Sequence, residues 1–148
     1  MRGVIFSVAV TFSLAPTGTA IAGGTAGDAE AMLQRAVAAL RAYEPAALAA
    51  FTAGAPGYKD EDLYVFCGGE DGKFSAYGGH PGVVGTSLRN FVDKGGRRTG
   101  AEIYEKAAEG AIAPVMYMQP KPGEIRPSQK IALVTRVADQ VCGVGYYE

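Results

Sequence analysis

The sequence predicts an α+β domain: a five-stranded antiparallel sheet with a long amino-terminal helix packed along one face and a helical crossover on the other. Three observations carry the prediction. Apolar residues recur at three- and four-residue intervals through Leu33, Ala36, Val37, Leu40 and Tyr43, the spacing of one helical face. From Leu63 the period drops to two, in runs rich in β-branched and aromatic residues separated by Gly- and Pro-containing turns. Between the second and third runs, Gly78 to Ala111 holds one amphipathic helix among turn formers, which makes it a crossover rather than a second folding unit. Helices gathered on the faces of an antiparallel sheet are one of the few ways to bury such elements.

At 148 residues the chain fits one domain able to bury its own core. Hydrophobic residues make up 48 % and there are 21 glycines, which suits a strand-rich domain with many tight turns. Lys and Arg number 14 against 15 Asp and Glu, so no broad field is available to hold nucleic acid or an anionic membrane. Residues 1–22 read as a secretory signal. Arg2 precedes an apolar run from Val4 to Ala15, and Ala20-Ile21-Ala22 has the small-x-small form that signal peptidases cut after. Thr11, Ser13, Pro16 and Thr17 interrupt the run short of the roughly 20 apolar residues a spanning helix needs, so no stable membrane insertion is expected once the signal is removed. The expected layout is a signal peptide at 1–22 and a single periplasmic or secreted domain at 23–148.

Two cysteines, Cys67 and Cys142, lie in the strand-like runs Leu63 to Cys67 and Gln140 to Val144. Export to an oxidising compartment makes their pairing the expectation. If those strands are neighbours, opposed Cα atoms lie roughly 4.5 to 5.5 Å apart, within reach of a disulfide. The alternative is two buried free thiols.

Along the chain, Asp28 is placed to cap the first helix, and Pro45 divides it, since proline suits a first helical position and restarts a short second helix to Phe51. Leu63 to Cys67 and Lys73 to Tyr77 form a hairpin around Gly68-Gly69-Glu70-Asp71-Gly72. A helical turn is expected at Ser87 to Val92. A better helix follows, opened by a capping box at Thr99-Gly100-Ala101-Glu102 and ended by Gly110. Three strands close the chain: Ile112 to Gln119, Gln129 to Val137 and Gln140 to Tyr147.

Ordered along this frame are Ala46-Ala47-Leu48, Lys59-Asp60-Glu61-Asp62-Leu63-Tyr64-Val65-Phe66, Asp71-Gly72, His80-Pro81, Val84-Gly85-x-x-Leu88 and Asp93. The amphipathic helix from Ile103 to Gly110 follows, then Pro120-x-Pro122, Lys130 and Gly143-Val144-Gly145-Tyr146-Tyr147. Together these resemble the second class of single Cache domains, PAS-like extracytoplasmic sensors of bacteria. The sequence departs from that pattern where Gly78-Gly79 precede His80, where Ala113-Pro114 replaces a frequent tryptophan, and at Leu133, where an aromatic is common.

The resemblance implies a ligand cavity beneath the crossover, with His80 near its rim and Lys130 placed to pair with a ligand carboxylate. Tyr64 and Tyr117 are candidates for its ring walls and hydroxyls. Each has a plainer reading: a loop histidine fixing a turn, a solvated strand lysine, ordinary packing tyrosines. Met116 and Met118 are read as packing residues. The acidic groups Asp60-Glu61-Asp62 and Glu70-Asp71 lack calcium-loop spacing, and one histidine cannot build a zinc site. No nucleophile elbow, HExxH, CxxC or phosphate loop occurs, so neither catalysis nor a cofactor is expected.

The expected function is therefore a periplasmic sensor-type binding protein. Its expected ligand is a small organic acid or similar metabolite, and it would act through an envelope receptor or kinase because the sequence ends at its last strand. The competing readings are a ligand-free docking protein of the envelope and, less favoured, an enzyme on a PAS-like scaffold.

Overall fold

The computed structural model describes residues 23–148, so the expected signal peptide lies outside the described residues. The first helix, α1, spans Ala26–Thr52. Thr25, not Asp28, is its cap. The Thr25 hydroxyl oxygen accepts from the Asp28 backbone N–H at 3.2 Å, while the Asp28 carboxylate reaches back to the Thr25 N–H at 2.9 Å. The boundary lies three residues earlier because this reciprocal box satisfies two orphan donors at once. The expected division is present: Tyr43 leaves helical geometry at φ −163°, ψ 97°, and Pro45 sits just inside the restarted helix. The break turns Tyr43 outward, 66 % exposed, off the apolar face to which its spacing assigned it. That face buries Ala29, Met32, Leu33, Ala36 and Leu40, then Ala47 and Phe51.

The sheet has six antiparallel strands: β1 (Lys59–Asp60), β2 (Leu63–Gly68), β3 (Phe74–Tyr77), β4 (Ala113–Pro120), β5 (Pro127–Val137) and β6 (Gln140–Tyr147). Their order is β1-β2-β6-β5-β4, with β3 also paired to β2. Five of these are the expected strands. The sixth, β1, arises because the chain reverses at Glu61, which takes φ 50°, and pairs Lys59 with Tyr64. The first long strand and the last lie side by side, in a register that opposes Cys67 to Cys142. The two are joined in a disulfide with Cα atoms 4.1 Å apart, which excludes the free-thiol alternative.

The crossover departs more from expectation. The turn expected at Ser87 to Val92 is not a helix; Ser87 bridges to Lys73, and a 3-10 turn forms earlier, at Pro81–Val83. The second helix, α2, spans Thr99–Lys106, with Arg98 at the cap position and no side-chain cap bond. The Thr99 capping box does not form because Thr99 is already inside the helix and buried, and Glu102 instead takes Arg97 at 2.7 Å and Lys106 at 2.8 Å. The helix stops well before Gly110, since Ala107 turns extended and the Ala108 carbonyl accepts from the Arg136 N–H and the Thr135 hydroxyl of β5.

Strand alternation gives the sheet two distinct faces. Leu63, Val65, Cys67, Cys142 and Val144 pack on α1. Phe66, Val115, Tyr117, Ala132, Val134 and Val141 face the crossover, beneath Leu88 and Ile103.

Candidate ligand-binding site

The crossover face is hollow because β6 presents glycines to it. A Cβ on Gly143 would lie 2.6 Å from the Phe66 ring, and one on Gly145 would lie 2.5 Å from the Tyr117 hydroxyl. The Phe66 ring and the Tyr117 hydroxyl therefore sit against bare backbone, and both residues line a chamber of about 270 Å³, near the size of a small-ligand pocket. Leu88, Phe91 and Ile103 roof it; Tyr64, Tyr77 and Gln119 close its end. Asp93 holds the roof in place. Its carboxylate accepts from the backbone N–H groups of Met118 at 2.7 Å and of Gly95 and Arg97 at 2.8 Å, tying the crossover to β4. Burial pushes this carboxyl up, but the three backbone donors outweigh burial and hold it below the usual aspartate value.

A second chamber, about 330 Å³, adjoins the first at Tyr64 and Gln119 and is lined by Lys59, Asp62, Pro120, Lys130 and Tyr147. Lys130 is only 1 % exposed. Its ammonium lies 4.7 Å from the Tyr64 ring centre and 4.5 Å from that of Tyr147, and donates a long bond, 3.5 Å, to the Asp62 carbonyl. Among the described residues no carboxylate stands within ion-pair distance of it. Burial pulls its pKa down to about 8, against the opposing pull of the Asp62 charge.

Between the chambers, the Tyr64 hydroxyl is 2.9 Å from the Tyr77 hydroxyl and 3.5 Å from the Gln119 amide nitrogen. Burial raises the Tyr77 and Tyr117 phenols well above their usual value and pushes Tyr147 up to about 12, so all three stay protonated donors at neutral pH.

Three of the four residues singled out from the sequence meet here. Tyr117 and Lys130 are cross-strand partners, and Tyr64 borders both chambers. His80 stands apart: it is exposed, lines neither chamber, and its Nδ1 accepts from the Gly82 N–H at 3.1 Å as the cap of the 3-10 turn. Tyr77, Gln119 and Tyr147 were not anticipated, although each occupies an alternating strand position beside one that was. Among the described residues no group of three His, Cys, Asp or Glu side chains is placed to hold a metal ion. No described helix is long and apolar enough to cross a membrane.

The sequence profile described as Single Cache domain 2 matches residues 31–148. The chain belongs to this family. Solved structures similar to this Cache domain include a methyl-accepting chemotaxis protein from Vibrio parahaemolyticus, at 19 % identity and TM-score 0.66, covering 82 % of this chain and 86 % of that one. Another is the periplasmic sensor domain of a chemotaxis protein, at 24 % identity and TM-score 0.60, covering 80 % and 86 %. A third, described with the structural basis for carboxylic acid recognition by a Cache chemosensory domain, has 19 % identity and TM-score 0.54 and covers 78 % and 83 %. At these identities the likeness is one of fold. No curated protein matches the chain.

Proposed function

We propose that this Cache domain is an extracytoplasmic sensor-type module that captures a small organic acid and acts through a receptor or kinase partner rather than by catalysis. The observation that carries the reading is the Lys130 ammonium, buried between two tyrosine rings with the nearby Asp62 carboxylate beyond ion-pair distance. Holding that charge out of water is costly, and a ligand carboxylate offsets the cost where a second apolar residue would have avoided it. The family supports a sensing role, and the carboxylic acid recognition described for one solved neighbour supports an acid as ligand. A buried disulfide suits a protein that folds outside the reducing cytoplasm.

Thermal shift and calorimetry against small acids, amines and amino acids test this. A ligand at a hundred times its Kd adds about 2.7 kcal/mol of stability, which is readily measured. Acids are expected to stabilise the wild type and to lose that effect in Lys130→Met, which keeps the bulk and removes the charge. Stabilisation by no acid, or undiminished binding in Lys130→Met, defeats the reading.

A further inference from the structure

The hollow consists of two spaces, and charge is confined to one of them. No charged side chain lines the inner chamber, whereas the outer chamber is lined by Lys59, Glu61, Asp62 and Lys130, of which only Lys130 is buried. An acid lying wholly inside the inner chamber would bury its carboxylate without a counter-ion, at a cost its hydrogen bonds do not return. An acid lying wholly in the outer chamber would leave the apolar one unused.

The two spaces are consecutive along one strand. Lys130 belongs to the outer chamber, and Ala132, the next residue on the same face of β5, floors the inner one about 7 Å further along. The seam between them is built. Tyr117, across from Lys130 and 9 % exposed, lines the inner chamber. Its hydroxyl and the Lys130 stem meet over Gly145, where an added Cβ would lie 2.5 Å from the one and 2.9 Å from the Lys130 Cε. Burial keeps that hydroxyl protonated, so it is a donor beside the Lys130 stem at the border of the chamber.

We propose that the ligand is a monocarboxylate with a branched or aromatic apolar tail, its head held at the seam by Lys130 and Tyr117 and its tail filling the inner chamber. The proposal rests on the reading that Lys130 receives an acid, and adds the ligand class. The tail's size follows from the chamber: 270 Å³ lies near the lower end of small-ligand pockets, room for a phenyl ring or a branched five-carbon chain and far more than a methyl group fills.

The test is calorimetry on the full chain with acetate, butyrate, 4-methylpentanoate, phenylacetate and phenylacetamide. It is run on the wild type and on two variants that fill the inner chamber from opposite sides, Ala132→Leu from the floor and Ile103→Phe from the roof. Affinity is expected to rise about fourfold per methylene from acetate to 4-methylpentanoate. Phenylacetamide is expected to bind at least tenfold more weakly than phenylacetate. Either filled variant is expected to flatten the rise from acetate to 4-methylpentanoate, so one folded variant suffices. Equal affinity for acetate and phenylacetate, or a series undiminished in a filled variant, overturns the tail assignment and leaves the acid reading standing. Phenylacetamide binding as tightly as phenylacetate overturns the head assignment. Binding of no acid at any length overturns both.

Discussion

Lys130 is an amine whose charge the fold tolerates rather than favours. Its pKa in the folded protein, about 8, lies below the ordinary 10.5, so between those values the unfolded chain binds more protons than the folded one. Stability therefore rises with pH across that window, by up to about 3 kcal/mol, and the full cost is present below pH 8. Above pH 10 the gain is opposed, because Tyr77 and Tyr117 keep their protons after the unfolded chain has released them. Urea unfolding at pH 7 and 9.5 is expected to show the rise in wild type and its absence in Lys130→Met. Acid binding should run the other way, weakening about tenfold per unit above pH 8 as the ammonium is lost. Lys130 was legible in the sequence through its match to the family pattern, and Tyr64 and Tyr117 as aromatic strand residues beside the cavity which that resemblance implies. Tyr77, Gln119 and Tyr147 were not, because their convergence depends on which strands adjoin, a fact carried by no local pattern. His80 was drawn in by its place in a family motif, whereas its own neighbours, Pro81 and Gly82, make it a turn cap.

The elements were legible in kind and less so in their ends. Spacing gave α1 its buried face and Pro45 its break, while competing polar partners changed both caps: Thr25 was available to box with Asp28, and Arg97 and Lys106 drew Glu102 away from Thr99, where α2 nonetheless begins. The early stop of α2 reflects bonds to β5, which no local signal announces. Gly100 gives this scale its test. In the first turn of α2 an alanine would ordinarily favour the helix, by up to about 1 kcal/mol. Here its Cβ would lie 1.8 Å from the Leu88 carbonyl oxygen, backbone that a rotamer change cannot clear. Gly100→Ala is expected to destabilise by about 2 kcal/mol or more, the opposite sign, in chemical denaturation. An unchanged or raised midpoint would mean that α2 does not press on the roof loop as described.

At the scale of the whole molecule, the strand order was legible through one covalent clue, the two cysteines in the first long strand and the last. Their bond closes a loop with a sequence separation of 75, which in the chain-entropy picture contributes about 4 kcal/mol. The double variant Cys67→Ala, Cys142→Ala is expected to lose roughly that much in urea unfolding. The staple also joins two strands that each carry both layers. Along β2, Tyr64 and Phe66 border the cavities while Leu63, Val65 and Cys67 seat the long helix, so successive residues of one strand belong to opposite layers. With β2 and β6 stitched against sliding past each other, the pair behaves as a plank loaded from both sides. The floor of the chamber and the seat of α1 are therefore one covalently tied pair of strands.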